Sequence, residues 1–260
     1  MFEGIRLEPI IQIAHLTKTF GGLAAVSDVS FSVRPRQIKA IIGPNGAGKT
    51  TLFDVITGVL ASTSGEILFR NRSLVSLRPY QIARLGISRT FQSIQLFGNM
   101  TAWENVMVGR HVRTSTGALA AALRLPKARA VEKAIADSAR EKLAFVGLAS
   151  CADVPALKLP IGQQRALECA RALATEPELL LLDEPAAGLN AHEAGVLAEL
   201  IVQIREMGVT VLLVEHNMEL VMDIADEIVV LNYGERIAEG PPEEIQSNEQ
   251  VVVAYLGEEA

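Results

Sequence analysis

The chain has 260 residues, of which 49% are hydrophobic, so it can bury one sizeable core but has little room for two large domains. Its 24 Lys and Arg residues against 30 Asp and Glu residues give a net charge of -6, the wrong sign for a protein that coats phosphate backbones, and nucleic acid is therefore not an expected partner. No stretch approaches the roughly 20 continuous apolar residues of a spanning helix, and the amino-terminal MFEGIRLEPI lacks an apolar segment for secretion, so we expect a cytoplasmic chain.

The first elements in chain order are strands. Short apolar runs over residues 10–33 are broken by Gly21 and Gly22, which predicts an antiparallel pair with a tight connection. Residues 50–59 have the apolar spacing of a helix. Further strands are predicted at residues 38–42, 66–69 and 87–91.

A glycine-rich segment, GPNGAGKT at residues 43–50, fits the P-loop pattern and lies between a predicted strand and a predicted helix, as that pattern requires. Its backbone N–H groups and the helix start can surround a β-phosphate. Lys49 would reach the β- and γ-phosphates, and Thr50 would supply a hydroxyl to Mg²⁺. The expected nucleotide-contacting residues here are Gly43, Asn45, Gly46, Ala47, Gly48, Lys49, Thr50 and Thr51.

The middle of the chain, from residue 101 to about residue 149, becomes helical and rich in alanine. Thr101 and Glu104 form a capping box, which predicts a helix start. Residues 114–117 and Pro126 mark a break, after which apolar residues recur at near-helical spacing. We interpret residues 93–175, approximately, as a helical subdomain inserted into an α/β domain.

Alternating strands and helices follow, which predicts a largely parallel sheet covered on both faces. The strands are expected at residues 179–182, 209–214 and 228–231, and the helices at residues 191–207 and 218–225. Tyr233 and Gly234 would turn the chain into a hairpin, and a helical tail is expected over residues 241–260. The predicted fold is therefore a single α/β domain over residues 1–260: a P-loop NTPase core with a mostly parallel sheet, an N-terminal antiparallel β part and the inserted helices.

Three polar side chains follow the ends of predicted strands. Asp183 and Glu184 come directly after the apolar run at residues 179–182, at the sheet edge where bound phosphates must lie. Asp183 would hold Mg²⁺, and Glu184 would polarise the attacking water as a general base. His216 shares that edge and could donate to a γ-phosphate oxygen.

Together these motifs resemble the ATP-binding cassette (ABC) ATPases over essentially the whole chain. The resemblance implies that Phe20 stacks on adenine and that Gln92, in the sequence RTFQ, senses Mg²⁺ and the transmembrane subunit. Lys49, Gln92, Glu184 and His216 would then be the catalytic set, with ATP as the nucleotide and Mg²⁺ held by Thr50, Gln92 and Asp183. Without the resemblance, Phe20 reads as a core residue and Gln92 as a surface polar residue.

The signature segment of that family, usually LSGGQ, is replaced here by LPIGQ at residues 159–163. Pro160 stands in place of the serine that would meet the γ-phosphate of the partner's ATP, and Ile161 in place of a glycine. Gly162 and the helix start behind it can still offer backbone donors, and Gln163 completes the signature segment. Asn190 occupies a place where aspartate is usual in the family. We therefore expect the partner's nucleotide to be bound but weakly activated.

More narrowly, the chain resembles the LivG-type ATP-binding proteins of branched-chain amino acid importers. The segments that carry this resemblance are RTFQ followed by Leu96, Phe97, Met100, Thr101, Glu104 and Asn105, then DEPAAGLN at residues 183–190, and AYLG at residues 254–257. The resemblance implies a second ABC ATPase subunit in a heterodimer, two transmembrane permease subunits, a solute-binding protein acting indirectly, and a peripheral position on the cytoplasmic face of the plasma (inner) membrane.

Other functions stay open from the sequence. The ATPase of an exporter or of a lipid-extracting complex is the nearest alternative. ABC ATPases of translation or DNA repair usually carry two cassettes or a long coiled-coil insertion, and a regulatory GTPase would need a guanine-reading Asn-Lys-x-Asp segment, which the sequence lacks after Glu184.

A short helical region over residues 92–108 is predicted to dock a permease helix. Its large apolar residues Phe97, Met100 and Trp103 fit an exposed contact surface. The alternative is that all three side chains pack inside the helical lobe.

Overall fold

The computed structural model describes residues 8–110 and 126–256. The strands are β1 (Ile11–Phe20), β2 (Leu23–Val33), β3 (Ile38–Ile42), β4 (Ser64–Phe69), β5 (Arg72–Ser73), β6 (Ile87–Arg89), β7 (Leu179–Asp183), β8 (Thr210–Val214), β9 (Glu227–Asn232) and β10 (Glu235–Gly240). The helices are α1 (Lys49–Ile56), α2 (Pro79–Leu85), α3 (Ala102–Arg110), α4 (Pro126–Phe145), α5 (Ile161–Leu173), α6 (Ala191–Glu206), α7 (Met218–Ile224), α8 (Pro242–Gln246) and α9 (Glu249–Leu256). The predicted break at residues 114–117 lies outside the described residues.

The larger sheet has the strand order β10-β9-β3-β8-β7-β6 and is parallel except where β10 pairs with β9. Its central strands are buried on both faces, by helices on one side and by α1 with the smaller sheet on the other, which explains why they read as continuous apolar runs. In β7, Leu179 and Leu181 face one core cluster, while Leu180 and Leu182 face another. The parallel α/β core and the hairpin of β9 and β10 are as predicted.

The smaller sheet, with the strand order β2-β1-β4-β5, is antiparallel throughout. Its apolar face packs on α1 and on one face of the larger sheet, so that both sheets share one hydrophobic cluster. The predicted pair of strands at residues 10–33 is confirmed. Helix α2 and the short strand β5 were not predicted, because neither is long enough to show a hydrophobic period.

The inserted helices α3, α4 and α5 pack on one another around a separate cluster that includes Val106, Leu143 and Leu167. The capping box is confirmed: the backbone N–H of Glu104 donates to Thr101 Oγ1 at 3.2 Å, and that of Thr101 to Glu104 Oε2 at 2.8 Å. The segment before α3 is irregular, so the expected helix over residues 92–108 is wrong in its first part. Its backbone there is tied to side chains of α5 and α3 instead. The subdomain limits at residues 93 and 175 remain a prediction.

The two cysteines occupy contrasting environments in this part of the chain. Cys169, on α5, is fully buried, and burial raises the pKa of its thiol to about 12. Cys151 lies in a short 3-10 helix, Ala149–Cys151, and is half-buried, with its Sγ 4.0 Å from Gln163 Oε1. Both are free thiols.

Candidate functional site

The P-loop connects β3 to α1 in a conformation that depends on two glycines. Gly43 has a φ of 149°, and a Cβ there would lie 2.1 Å from the carbonyl oxygen of Leu231. Gly48 has a φ of 98°, and a Cβ there would lie 2.2 Å from the carbonyl oxygen of Ala25. Any side chain at either position would therefore push the loop away from β9 or from β2.

Lys49, the first residue of α1, lies inside this loop. Its Nζ donates to the carbonyl oxygens of Gly43 at 2.6 Å and Pro44 at 2.8 Å. The next residue, Thr50, is exposed at the start of the helix. A cation and the positive end of a helix dipole thus meet at one point, an arrangement that binds phosphate groups.

A cleft of about 260 Å³ runs from the P-loop to the ends of the parallel strands. It brings together P-loop residues and two catalytic candidates that are distant in sequence. Its lining consists of Ala25, Asn45, Gly46, Ala47, Gly48, Lys49, Thr50, Thr51, Gln92 and Glu184. The structure therefore places Lys49, Gln92 and Glu184 at one site.

Glu184 is buried at the end of β7 and has a φ of 46°, a backbone conformation that is rare for a residue with a side chain. Its carboxylate is held from two sides. Gln92 Nε2 donates to Oε2 at 2.6 Å, and His216 Nε2 lies 2.5 Å from Oε1. The three residues predicted to act on the γ-phosphate and water therefore form one hydrogen-bonded group.

Asp183 directs its carboxylate to a different partner, Arg89. Arg89 Nη2 donates to Asp183 Oδ2 at 2.7 Å, and Arg89 Nη1 donates to Asp54 Oδ1 of α1 at 2.6 Å. Burial raises the pKa of Asp183, although the hydrogen bond and charge of Arg89 act in the opposite direction. Arg89 was not predicted as a site residue; its position in RTFQ, three residues before Gln92, was the available signal.

Glu215, also missed by sequence reasoning, organises the turn that carries His216. This buried carboxylate accepts hydrogen bonds from the backbone N–H groups of Ala186, His216 and Asn217, at 2.7, 2.8 and 3.1 Å. It thereby ties the segment after Glu184 to the segment after β8. An acidic residue directly before His216 was a signal for this role.

The predicted signature forms the start of α5. Pro160 is its N-cap residue and provides no side-chain hydrogen bond to the helix, and the side chain of Ile161 is exposed. A Cβ at Gly162 would lie 3.2 Å from Glu193 Oε1, so a carboxylate stands beside this helix start. Asn190 instead caps α6, accepting from the backbone N–H of Glu193 at 3.0 Å.

Phe20 stands apart from the cleft. It ends β1, its side chain is exposed, and the ammonium of Lys18 lies 4.9 Å from its ring centre. Its ring is available on the surface, which leaves the predicted contact with adenine as a prediction. It is not the core residue that the alternative reading described.

The predicted docking residues separate into two groups. Phe97 is 47% exposed, whereas Trp103 packs on the cluster of the helical lobe and donates its indole N–H to the carbonyl oxygen of Ala136 at 3.3 Å. Met100 is half-buried. Neither reading of the sequence, that all three face outward or that all three pack inside, is therefore correct for the whole set.

The donor set fits a nucleotide-bound divalent cation. Asp183 Oδ1 is buried and has no hydrogen-bond partner among the described residues, and Thr50 offers an exposed hydroxyl. Oxygen donors of this kind suit Mg²⁺. Within residues 8–110 and 126–256, no cluster of three or more His, Cys, Asp or Glu residues could hold a metal by itself. Phosphate oxygens of the nucleotide would have to complete the coordination.

Sequence relatives agree with this architecture. LivG of Salmonella typhimurium, a high-affinity branched-chain amino acid transport ATP-binding protein, is 46% identical over 252 residues, covering 96% of this chain and 99% of that protein. BraF of Pseudomonas aeruginosa, described in the same words, is 46% identical over 251 residues, covering 96% and 98%.

Solved structures and family profiles point the same way. The ADP conformation of MJ1267, an ATP-binding cassette of an ABC transporter, superposes with a TM-score of 0.84 at 32% identity, covering 96% of this chain and 99% of that one. The profile of the ABC transporter family matches residues 26–187, and that of the branched-chain amino acid ATP-binding cassette transporter matches residues 235–260. None of the helices within the described ranges has the length and apolar character needed to cross a bilayer. The chain belongs to the ABC transporter family, as one of its ATP-binding ATPase subunits.

Proposed function

We propose that this chain hydrolyses ATP to power the import of branched-chain amino acids through separate permease subunits. The observation that carries the proposal is the hydrogen-bonded group of Gln92, Glu184 and His216 in the P-loop cleft, in a chain 46% identical to LivG along nearly its whole length. The cleft supports the chemistry, and the relatives support the solute class.

Nucleotide binding would rest on the P-loop. Backbone N–H groups at the start of α1 face the β-phosphate, and Lys49 exchanges its carbonyl contacts for β- and γ-phosphate oxygens. Thr50, Gln92 and Asp183 would hold Mg²⁺, which when bound neutralises charge on the phosphates. Phe20 would stack on the adenine ring.

For hydrolysis, Glu184 would act as the general base. The oxygen of a water attacks the γ-phosphorus, the bond from that phosphorus to the bridging oxygen breaks, ADP leaves with the electron pair, and the water's proton passes to the carboxylate. Each carboxylate oxygen has a second lone pair, so Glu184 can accept this proton while Gln92 holds its orientation. His216 Nε2, which lies 2.5 Å from Glu184 Oε1 in this structure, would turn from that carboxylate to the phosphate. His216 would donate to a γ-phosphate oxygen.

ABC ATPase subunits dimerise and work with transmembrane permeases at the membrane. For this chain we propose a heterodimer with a second ATPase subunit, two permease subunits and a separate solute-binding protein, on the cytoplasmic face of the plasma membrane. The amino acid itself would never contact this chain.

The test is uptake of radiolabelled leucine by proteoliposomes that contain this chain and the membrane proteins that purify with it, together with the solute-binding protein. ATP enclosed in the vesicle lumen, on the same side of the bilayer as this chain, should drive uptake. Glu184→Gln should abolish that uptake. Glu132→Gln, which changes an exposed carboxylate on α4, is the matched control and should behave as the wild type. Export of the solute, or uptake that is indifferent to Glu184→Gln, would contradict the proposal.

A further inference from the structure

Three charged residues of α5 lie on one face of that helix and are withdrawn from solvent. Arg165, Glu168 and Arg171 are spaced three apart, and the side chains of Arg165 and Glu168 are 6% and 2% exposed. Burial raises the pKa of Glu168, against the hydrogen bond from Gln95 and the charges of Arg165 and Arg171. Charges are buried at this cost only where they are paired and hydrogen-bonded, so their partners show what the cluster holds in place.

Those partners are backbone atoms of residues 91–95, the irregular segment that carries Gln92. Arg165 Nη2 donates to the carbonyl oxygen of Gln92 at 2.8 Å, and Glu168 Oε1 accepts from the backbone N–H of Gln95 at 2.8 Å. Arg171 Nη1 donates to the carbonyl oxygen of Gln95 at 2.5 Å. Arg165 Nη1 also donates to the carbonyl oxygen of Phe91 at 3.3 Å, so the backbone on both sides of Gln92 is attached to α5 by charge-assisted hydrogen bonds, the stronger class.

Arg165 also approaches the segment after Glu184. Arg165 Nη2 lies 3.4 Å from the carbonyl oxygen of Ala187, whose N–H donates to the carbonyl oxygen of Glu184 at 3.1 Å. The side chain of Gln92 in turn donates to Glu184. The Arg165 guanidinium therefore contacts both the segment that carries Gln92 and the segment that follows Glu184.

We propose that Arg165 and Glu168 are positioning residues for ATP hydrolysis: they fix the backbone of residues 91–95 to α5, and through Gln92 they fix the orientation of Glu184. The inference rests on the proposed roles of Glu184 and Gln92. Because α5 begins at Ile161, a displacement of this helix start against a neighbouring subunit is transmitted to the general base of this chain's own site.

The decisive test is a double-mutant cycle between the helix and Gln92, measured as phosphate release by the full chain in its transporter complex. Arg165→Met and Glu168→Gln should each lower kcat by about tenfold or more while KM for ATP changes by less than about twofold. In a Gln92→Ala background the same changes should lower kcat by less than about twofold, because they act through Gln92. Equal fold-losses in both backgrounds would overturn the proposal.

Hydrogen exchange supplies a readout that does not depend on activity. Glu168→Ala should increase exchange of the Gln95 amide, seen in peptides that span residues 91–97, whereas Gln92→Ala should leave that amide protected. Unchanged protection in Glu168→Ala would overturn the proposal.

Arg140→Met, at an exposed arginine of α4, is the control for loss of a guanidinium in Arg165→Met. Glu168→Gln keeps the size of the side chain, and if Arg165→Met does not fold, the kinetic cycle is measured with Glu168→Gln alone.

The outcomes also separate this inference from the proposed function. If Glu184→Gln hydrolyses ATP at the wild-type rate, the role of the base is wrong. If Glu184→Gln is inactive and the cycle is additive, only the positioning role of Arg165 and Glu168 is wrong.

Discussion

The strand ends of the core and the start of helix α5 are built in opposite ways. At the strand ends, Glu184 is held by two side chains and Asp183 by a buried arginine, so both carboxylates have fixed orientations. At the start of α5, Pro160 offers no hydroxyl, Ile161 is exposed, and the carboxylate of Glu193 lies close by.

The difference shows that the two nucleotide-facing regions of one chain, the strand ends and the start of α5, can be differently equipped for the same reaction. In the head-to-tail dimer that we propose, the strand-end cluster would act on this chain's own ATP and the start of α5 would contact the partner's ATP. A negative charge beside a helix start offsets the positive end of its dipole. We therefore expect a competent site on Lys49, Asp183, Glu184 and His216 and a weaker one opposite.

The largest effect is expected from Lys49→Ala, which removes the cation from the better-equipped site. Loss of charge neutralisation on the transferring phosphoryl group should lower phosphate release by at least about a hundredfold. Steady-state release by the reconstituted complex is the measurement. Lys133→Ala, at an exposed lysine of α4, should leave the rate unchanged. Normal hydrolysis by Lys49→Ala would remove the chemical basis of the comparison.

The asymmetry itself is tested by removing the general base from one subunit at a time. Glu184→Gln should keep ATP binding but lower turnover about a hundredfold, since the amide keeps the shape and cannot take a proton. The equivalent change in a partner with an intact signature should cost far less. Nucleotide retention and phosphate release are measured for each complex. Equal losses would show that both sites turn over together, and the asymmetric scheme would be dropped.

Restoring the usual signature should reduce the contrast. Pro160→Ser combined with Ile161→Gly supplies a hydroxyl to the γ-phosphate of the partner's ATP, and one charge-assisted hydrogen bond of about 2 kcal/mol corresponds to roughly thirtyfold in rate. Single-turnover hydrolysis at the opposite site should therefore accelerate by up to about thirtyfold. A rate that does not change would mean that Gly162 and the helix start already suffice.

The smallest effect on the ATPase itself is expected on the outer surface of the helical lobe. Phe97→Asp changes an exposed ring and should alter the free energy of unfolding by only about 0.5 kcal/mol, while releasing the permease. Trp103→Asp places a charge against the packed cluster and should unfold the lobe. Thermal melting and co-purification of the permease distinguish the two. Strong destabilisation by Phe97→Asp would assign that ring to the core.

The fold and most residues of the cleft could be predicted from the sequence because they depend on local patterns, whereas Gln92 was assigned only through the resemblance to ABC ATPases. Each of three patterns can be recognised within about ten residues: the P-loop, the apolar run before Asp183 and the strand before His216. Arg89 and Glu215 were not predicted as site residues, because an isolated charged residue looks the same in sequence whether it is solvated or buried against a distant partner. The separation of Phe97 from Trp103 was missed as well, since it depends on Trp103 lying in α3 against α4 while Phe97 lies in the irregular segment before α3.

The contrast between the two thiols makes part of this chain accessible to selective chemistry without any substitution. A thiol with a pKa of about 12 is ionised to only about one part in ten thousand at pH 8, so Cys169 should be almost inert to maleimides and mild oxidants. Cys151 should therefore take up the label, 4.0 Å from a side chain of the signature segment. A fluorophore attached there would report in real time on how the start of α5 meets a neighbouring subunit.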